Sequence, residues 1–307
     1  MAKKRNEEKH VRVLLSTYNG EQYIEHQLDS ILNQTYSNIT IQVRDDGSTD
    51  GTREVLGKYA VKGLIQVTFG ENLGFICSFY ELLHQAEKAD YYSFADQDDE
   101  WFPEKIERAV QELEDRNHDV PQLYHSNYDY YDQDLKFVSH KKPIRSRSTI
   151  GLALFGFTCF GFTCVFNNKL REMYLKMEPF KSFPQDYLCA LIAVAMGEMT
   201  YDPKPSAKHR RHGGNASIGN ESSLALLRWR IRNFLMQDSF DFTGKISDFY
   251  TVYYDYLSAE DRVFLETFFE RRYNLIGSLC KSFKWTRYRN GFFDECAIRF
   301  MMLIGRL

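Results

Sequence analysis

Four carboxylates stand within five residues at Asp96-Gln97-Asp98-Asp99-Glu100, directly after the uncharged run Tyr91-Tyr92-Ser93-Phe94-Ala95. The apolar run reads as a short buried strand, which gains nothing in packing by running on into acid. Ionised carboxylates this close must be solvated or paired, because like charges raise each other's pKa. A divalent cation resolves the conflict, and hard oxygen ligands suit Mg²⁺ or Mn²⁺. Asp96 and Asp98 leave a strand on the same side and can share a metal, or a metal and a ribose. An acidic surface loop ahead of a helix starting at Pro103 would look the same, so the other polar clusters carry weight.

Two further clusters complete the chemistry. In Asp45-Asp46-Gly47-Ser48-Thr49-Asp50, a carboxylate at a strand end can accept the N3–H of a uracil or thymine ring. Gly47 permits the tight turn that lets a base approach. A helix-capping turn uses the same residues. The third cluster is split between Pro184-Gln185-Asp186-Tyr187 and His209-Arg210-Arg211-His212-Gly213-Gly214-Asn215. Asp186 opens an apolar helix, either as an acid favoured by the helix dipole or as a general base on a cleft floor. The Arg/His loop can hold a diphosphate by charge-assisted hydrogen bonds, with a His completing a metal shell. It also reads as a solvated basic turn.

The elements that must position these residues alternate. Strands are predicted at 11–17, 39–44, 64–69 and 91–95. Helices are predicted at 21–33, 51–59, 75–88 and 103–113, from apolar spacing and turn chemistry. Alternation of this kind gives an α/β fold with a mostly parallel sheet and right-handed crossovers. The loops Tyr18-Asn19-Gly20, 45–48 and 96–99 would then share one edge, where ligands bind in open α/β sheets. Beyond them, 123–131 and 135–138 suggest a hairpin, and Phe155–Phe166 a strand pair or cleft wall. A helix is predicted over 185–196 and a polar loop over 202–220. Helices follow over 224–236, 246–257 and 259–279.

Composition bounds the function. At 307 residues, with 43% hydrophobic residues and a net charge of −3, the chain is long enough for a real core and unsuited to bulk nucleic-acid binding. Its six cysteines form no CxxC pair and read as reduced, mostly packed thiols of a cytoplasmic protein. No apolar signal core follows the basic start, and the run 152–166 is too short to span a membrane.

In order along the chain, these motifs resemble family 2 glycosyltransferases of the GT-A fold, in the form common among bacterial rhamnosyltransferases. Val13–Gly20 resembles the opening strand and loop, Val43–Asp50 the base-binding turn, and Phe94–Trp101 the DXD motif. Gly161–Phe166 resembles the strand before the acceptor cleft. Arg211–Asn215 resembles the late loop over the diphosphate. The resemblance covers about residues 11–220. Two positions depart from the rhamnosyltransferase group. Gly161-Phe162 stands where Gly-Cys is frequent, and Gln185-Asp186 where His-Asp is frequent.

The resemblance implies an inverting, metal-dependent transfer of rhamnose or another hexose to a hydroxyl of a lipid-linked or oligosaccharide acceptor in bacterial surface polysaccharide synthesis. The donor would be dTDP-rhamnose or a UDP-hexose. It implies that Asp45 binds the base with Thr17 and Tyr18 beside it, and that Asn19, Asp46 and Asn72 complete that site. Asp96 would hold ribose or metal, and Asp98 would ligate Mn²⁺ or Mg²⁺. His212 would add a ligand or diphosphate contact beside Arg211, and Asp186 would be the catalytic base. A nucleotidyltransferase would need a glycine-rich phosphate loop in place of Tyr18-Asn19-Gly20-Glu21. A non-catalytic scaffold would not need the intact acid set.

Two regions are expected: a catalytic domain over 1–220 and a helical region over 221–307. From Arg271 onward eight Lys/Arg face two acids, interleaved with aromatics. That pattern suits an anionic membrane surface, an oligomer contact or a helical cap. A peripheral position on the inner face of the cell membrane is the expectation.

Overall fold

The first strand, β1 (Val11–Thr17), buries both of its faces. Val11, Val13 and Leu15 join one apolar cluster and Leu14 the other, following the two-residue period of a strand. This is the pattern of a sheet covered by helices on both sides. The computed structural model describes residues 8–144, 148–156, 159–179, 183–213, 242–269, 275–284, 286–289 and 291–304.

Around β1 the chain winds α1 (Ile24–Leu32), β2 (Ile39–Asp45), α2 (Thr52–Val61), β3 (Gln66–Phe69), α3 (Phe75–Gln85) and β4 (Tyr91–Ala95). Strands β3, β2, β1 and β4 are parallel neighbours, as the alternation predicts. Next come β5 (Glu100–Trp101), α4 (Lys105–Glu114), β6 (Gln122–Tyr131) and β7 (Phe137–His140). The predicted hairpin is present, with β7 antiparallel to β6. The stretch Phe155–Phe166 divides into the end of α5 (Ile150–Phe155), a 3₁₀ turn at Gly161–Thr163 and most of β8 (Cys164–Asn167). Then follow α6 (Asn168–Tyr174), α7 (Gln185–Met196) and β9 (Glu198–Arg210).

The sheet has nine strands in the order β3-β2-β1-β4-β8-β6-β9-β5, with β7 on β6. Strand β8 runs antiparallel to β4 and to β6, so β6 ends on the same edge as β4. Strand β9 lies parallel to β6, and its end therefore reaches that edge too.

Strand β9 corrects the polar loop expected over 202–220. Its Pro203 and Pro205 argue for a loop, because proline cannot donate to a ladder. The pairing of β9 with β6 shifts register around Ser126, Asn127 and Asp129, opposite those prolines, and resumes beyond them. Arg108 helps to hold the segment. Its guanidinium pairs with Asp202 and donates to the carbonyls of Lys204 and Pro205.

Helices α8 (Phe242–Tyr253), α9 (Ala259–Glu266), α10 (Leu275–Ser282) and α11 (Phe292–Leu303) follow. Their Phe249, Tyr253, Phe264, Phe268, Ile298 and Met302 share one apolar cluster with Leu14, Phe79 and Phe94. The boundary expected at residue 220 and the helix expected over 224–236 lie outside the described residues. Among the described residues no helix is long and apolar enough to cross a membrane.

Lys105 is fully buried in the opposite cluster's layer, with its ammonium 4.3 Å from the Trp101 ring and no hydrogen-bond acceptor. Burial pulls its pKa down to about 7. A lysine whose folded-state pKa lies below its unfolded value destabilises most at low pH, and the penalty fades as pH rises toward the unfolded value. Lys105→Met should therefore raise Tm, and by more at about pH 6 than at about pH 9. Thermal melts at the two pH values check this, and equal gains would show that charge burial is not the cause.

Candidate active site

The loops after β1, β2 and β4 meet on one edge of the sheet. Gln97 joins the first to the third. Its Oε1 accepts from Thr17 Oγ1 at 2.6 Å and from Tyr18 N at 2.8 Å, and its Nε2 donates to the Tyr18 carbonyl at 3.1 Å. A side-chain amide thus pairs with a main-chain unit as a neighbouring strand would. Asn19 joins the first loop to the second, donating its N–H to Ser48 Oγ and accepting from Thr49 N. It adopts φ +49°, where asparagine is among the few tolerated residues. Tyr18 remains exposed beside them.

Asp45 ends β2 and is fully buried. Its Oδ1 accepts from Ser48 N at 3.2 Å and from Arg53 Nε at 2.6 Å, while its Oδ2 is buried with no donor. A buried carboxylate oxygen without a donor is unsatisfied and can take an N–H from a group that reaches it. Asp46 is placed differently. It pairs with Arg44 and accepts from Leu73 N and Gly74 N, so it holds the loop ahead of α3. Asn72 is exposed in that loop and accepts from Gly74 N. Gly47 sits at φ +88°, where a Cβ would come 2.8 Å from Asn72 N, so this turn excludes a side chain.

The acid loop is held from β9. Asp99 is fully buried, and its Oδ1 accepts from Arg210 N at 3.3 Å and meets His209 Nδ1 at 2.8 Å. Asp98 Oδ2 lies 2.9 Å from His212 Nε2, and the His212 ring stacks on Tyr23. Arg210 Nε donates to the Asp98 carbonyl. Arg211 lies over the Tyr130 ring at 3.7 Å and donates its N–H to the Tyr131 carbonyl. Asp96 has its pKa pushed well above the usual range, first by burial and then by Asp99, Asp98 and Asp186. Gly214 and Asn215 lie outside the described residues.

Asp186 stands at the first turn of α7, across from this loop. Its Oδ1 accepts from Tyr187 N at 2.8 Å and its Oδ2 from Gly161 N at 3.2 Å. Burial nevertheless raises its pKa to about 6. A Cβ at Gly161 would lie 3.8 Å from Asp186 Cβ and 3.9 Å from Phe94 Cβ, which sets Asp186 beside the end of β4. Phe162, one of the two departures from the rhamnosyltransferase pattern, stacks on His209 at 5.0 Å and 9°. The turn next to Asp186 is thereby linked to the histidine that holds Asp99.

A divalent cation fits part of this donor set. Asp98 and His212 already face each other, and Asp96 lacks a compensating cation among its near charges. Among the described residues no three His, Cys, Asp or Glu side chains gather as a preformed metal site. Such a pair suits a cation that takes one or two protein ligands and fills its shell from substrate phosphates.

Three residues here escape sequence reasoning about roles: Gln97, His209 and Arg53. Gln97 sits inside the acid run as if it were a spacer. The partners of His209 and Arg53 are 110 and 8 residues away, on other elements. Gln97→Ala should remove the clamp on Tyr18, at about 1–2 kcal/mol of stability. The expected result is a Tm a few degrees lower and faster amide exchange at Tyr18; unchanged exchange there would contradict the clamp.

Comparison with known proteins bears on family and fold. The family model described as glycosyl transferase family 2 matches residues 12–171, just over half of the chain. The dTDP-rhamnosyl transferase RfbG of Shigella flexneri is 37% identical over 102 residues, which is 31% of this chain and 35% of that protein. The putative teichuronic acid biosynthesis glycosyltransferase TuaG of Bacillus subtilis is 33% identical over 109 residues, 35% of this chain and 43% of that one. The match thus spans well under half the length of either relative. The crystal structure of S. aureus TarS 1–349 in complex with UDP-GlcNAc superposes with a TM-score of 0.54 at 17% identity, covering 88% of this chain and 83% of that one. Its likeness shows the fold, which is GT-A. A family model matched over more than half of the chain, from β1 into α6, means that the chain belongs to glycosyl transferase family 2.

Proposed function

We propose that the protein moves a hexose, rhamnose among the candidates, from a nucleoside-diphosphate sugar to an acceptor hydroxyl with inversion at the anomeric carbon. The observation that carries this reading is that Asp186 lies beside β4's end, near enough to the acid loop to raise the pKa of Asp96. The likeness to RfbG and TuaG favours a surface polysaccharide as product, with a lipid-linked or oligosaccharide acceptor. Membership of a transferase family speaks against a nucleotidyltransferase or an inert scaffold.

On this reading the orphaned Asp45 Oδ2 accepts the N3–H of a uracil or thymine base. Exposed Tyr18 flanks the ring, with Thr17, Asn19 and Asn72 shaping the loops around it, while Asp46 keeps the Asn72 loop in place. Asp96 faces the ribose. Asp98 and His212, with Asp96 near them, would hold Mn²⁺ or Mg²⁺, which neutralises the diphosphate as a leaving group. Arg211 stands at the rim of this site, stacked on Tyr130, to meet phosphate oxygens. Asp186 takes the proton from the acceptor hydroxyl as it attacks from the face opposite the leaving group. The catalytic unit of 1–220 and the helical region of 221–307 remain the proposed division of labour.

The donor test is direct. Nucleotide release from a panel of dTDP- and UDP-sugars should require Mn²⁺ or Mg²⁺ and single out one donor. Release of none of them would sink the donor reading. Asp186→Asn should lower transfer by roughly 10²–10⁴-fold and leave donor binding intact; near wild-type turnover would remove Asp186 as the base.

The pH dependence has a definite sign. A base with a pKa of about 6 is ionised above that pH, so the transfer rate should fall as pH drops below about 6. The same raised pKa destabilises the folded protein at neutral pH, a penalty absent below the unfolded value of about 4. Asp186→Asn should therefore keep or raise Tm near neutrality, read by thermal melts, even as transfer falls. A lower Tm would mean that the carboxylate is structural.

A further inference from the structure

The last two described helices turn apolar side chains outward. In α10, Ser278, Lys281 and Ser282 are buried at 4, 5 and 3% exposure, while Ile276, Leu279 and Phe283 stand out at 73, 39 and 74%. The exposed three are three and four residues apart, so they form one stripe, and the buried polar residues form the opposite one. In α11, Ile298 and Met302 face the core, and Phe292, Phe300 and Ile304 are exposed at 73, 60 and 42%. Spacings of eight and four residues again put the exposed three on one stripe. The helices pack side by side. Ser282 Oγ donates to the Arg299 carbonyl, and the Arg299 guanidinium returns to the carbonyls of Ser282, Lys284 and Thr286. Apolar surface of this extent on a folded protein marks a contact surface.

We infer that this paired-helix face docks on an anionic membrane surface. Charge decides between a bilayer and a second copy. Between residues 275 and 304 stand five Lys/Arg and two acids; Lys281 is buried and Arg299 is taken up by Glu295 and main-chain carbonyls, which leaves Lys284, Arg287 and Arg289 as the basic rim. One of those acids, Glu295, is already occupied by Arg299 and by the N–H groups of Tyr288 and Arg289. A two-fold dimer through this face would set the basic rim against its own copy. Against anionic lipid the same rim is attractive, at short range and sensitive to salt. The helices, at 8 and 12 residues, are about 12 and 18 Å long. That is too short to cross a hydrocarbon core of ~30 Å, so they lie in the interface with their aromatic residues inserted. The reading of a lipid-linked acceptor gives this surface its purpose, but the flotation readout needs neither donor nor acceptor. Its failure would therefore leave the transfer chemistry standing.

The experiment is vesicle flotation of the full chain with phosphatidylcholine vesicles, with and without phosphatidylglycerol, beside light scattering in solution. Wild type should float with the anionic vesicles and release at about 0.5 M salt. Phe292→Ser/Phe300→Ser should weaken partitioning by about tenfold or more, with donor hydrolysis unchanged. Ile276→Ser/Phe283→Ser on the other helix should do the same, which guards against a folding defect confined to one pair. Wild type that ignores anionic vesicles, or variants that bind as well as wild type, would overturn the inference. So would a wild-type dimer that either variant dissociates.

Discussion

A fully buried Asp99 is the constraint on which the cleft depends. An isolated carboxylate in an apolar interior is strongly unfavourable, so Asp99 requires donors, and they come from the far end of the longest described strand. His209 and Arg210 close β9 and meet Asp99 Oδ1 from a strand that must run the full depth of the sheet to get there. Once Asp99 is held, the rest of the acid loop has little freedom. Arg210 takes the Asp98 carbonyl, and the Asp98 carboxylate turns to His212. The stack of Phe162 on His209 ties the turn at Gly161 to the same post, and Gly161 N in turn holds Asp186. One buried carboxylate therefore aligns the acid loop with the candidate base across the cleft.

The parallel half of the sheet was legible from sequence because its signals are local. Val11–Thr17 and Tyr91–Ala95 are strands at the boundaries their apolar runs mark, and the three loops that follow the inner strands do converge. The residue types at the cleft were legible for the same reason, since Asp45, Asp96, Asp98 and Asp186 each stand at a strand or helix end. What the sequence hid was long-range. Strand β9 looks like a loop because Pro203, Pro205 and its charges speak against a strand, and only pairing with β6, through two breaks in register, overrides them. Asp45 and Asp46 look equivalent as neighbours, yet one leaves an oxygen without a donor and the other spends both on a loop. That difference comes from Arg44, Arg53 and the α3 loop, and spacing does not reveal it.

The charges around the cleft are compensated unevenly, and the unevenness has a direction. Asp45 and Asp46 each have an arginine, and Asp98 and Asp99 each have a histidine. Asp186 is bonded by backbone N–H groups, and Asp96 feels three acids with no cation among its main influences. The two carboxylates without a cationic partner are thus both deeply buried and close enough for Asp186 to act on Asp96, and burial amplifies any charge there. A site arranged this way attracts positive charge to one region and repels a further anion from it. On the proposed reading, that region is where a divalent cation would reside and where the anomeric carbon gains positive character as its bond to the diphosphate breaks. Burial comes first among the causes that raise the proton affinities of Asp96 and Asp186, and on the proposed reading the same buried carboxylates favour a cationic transition state.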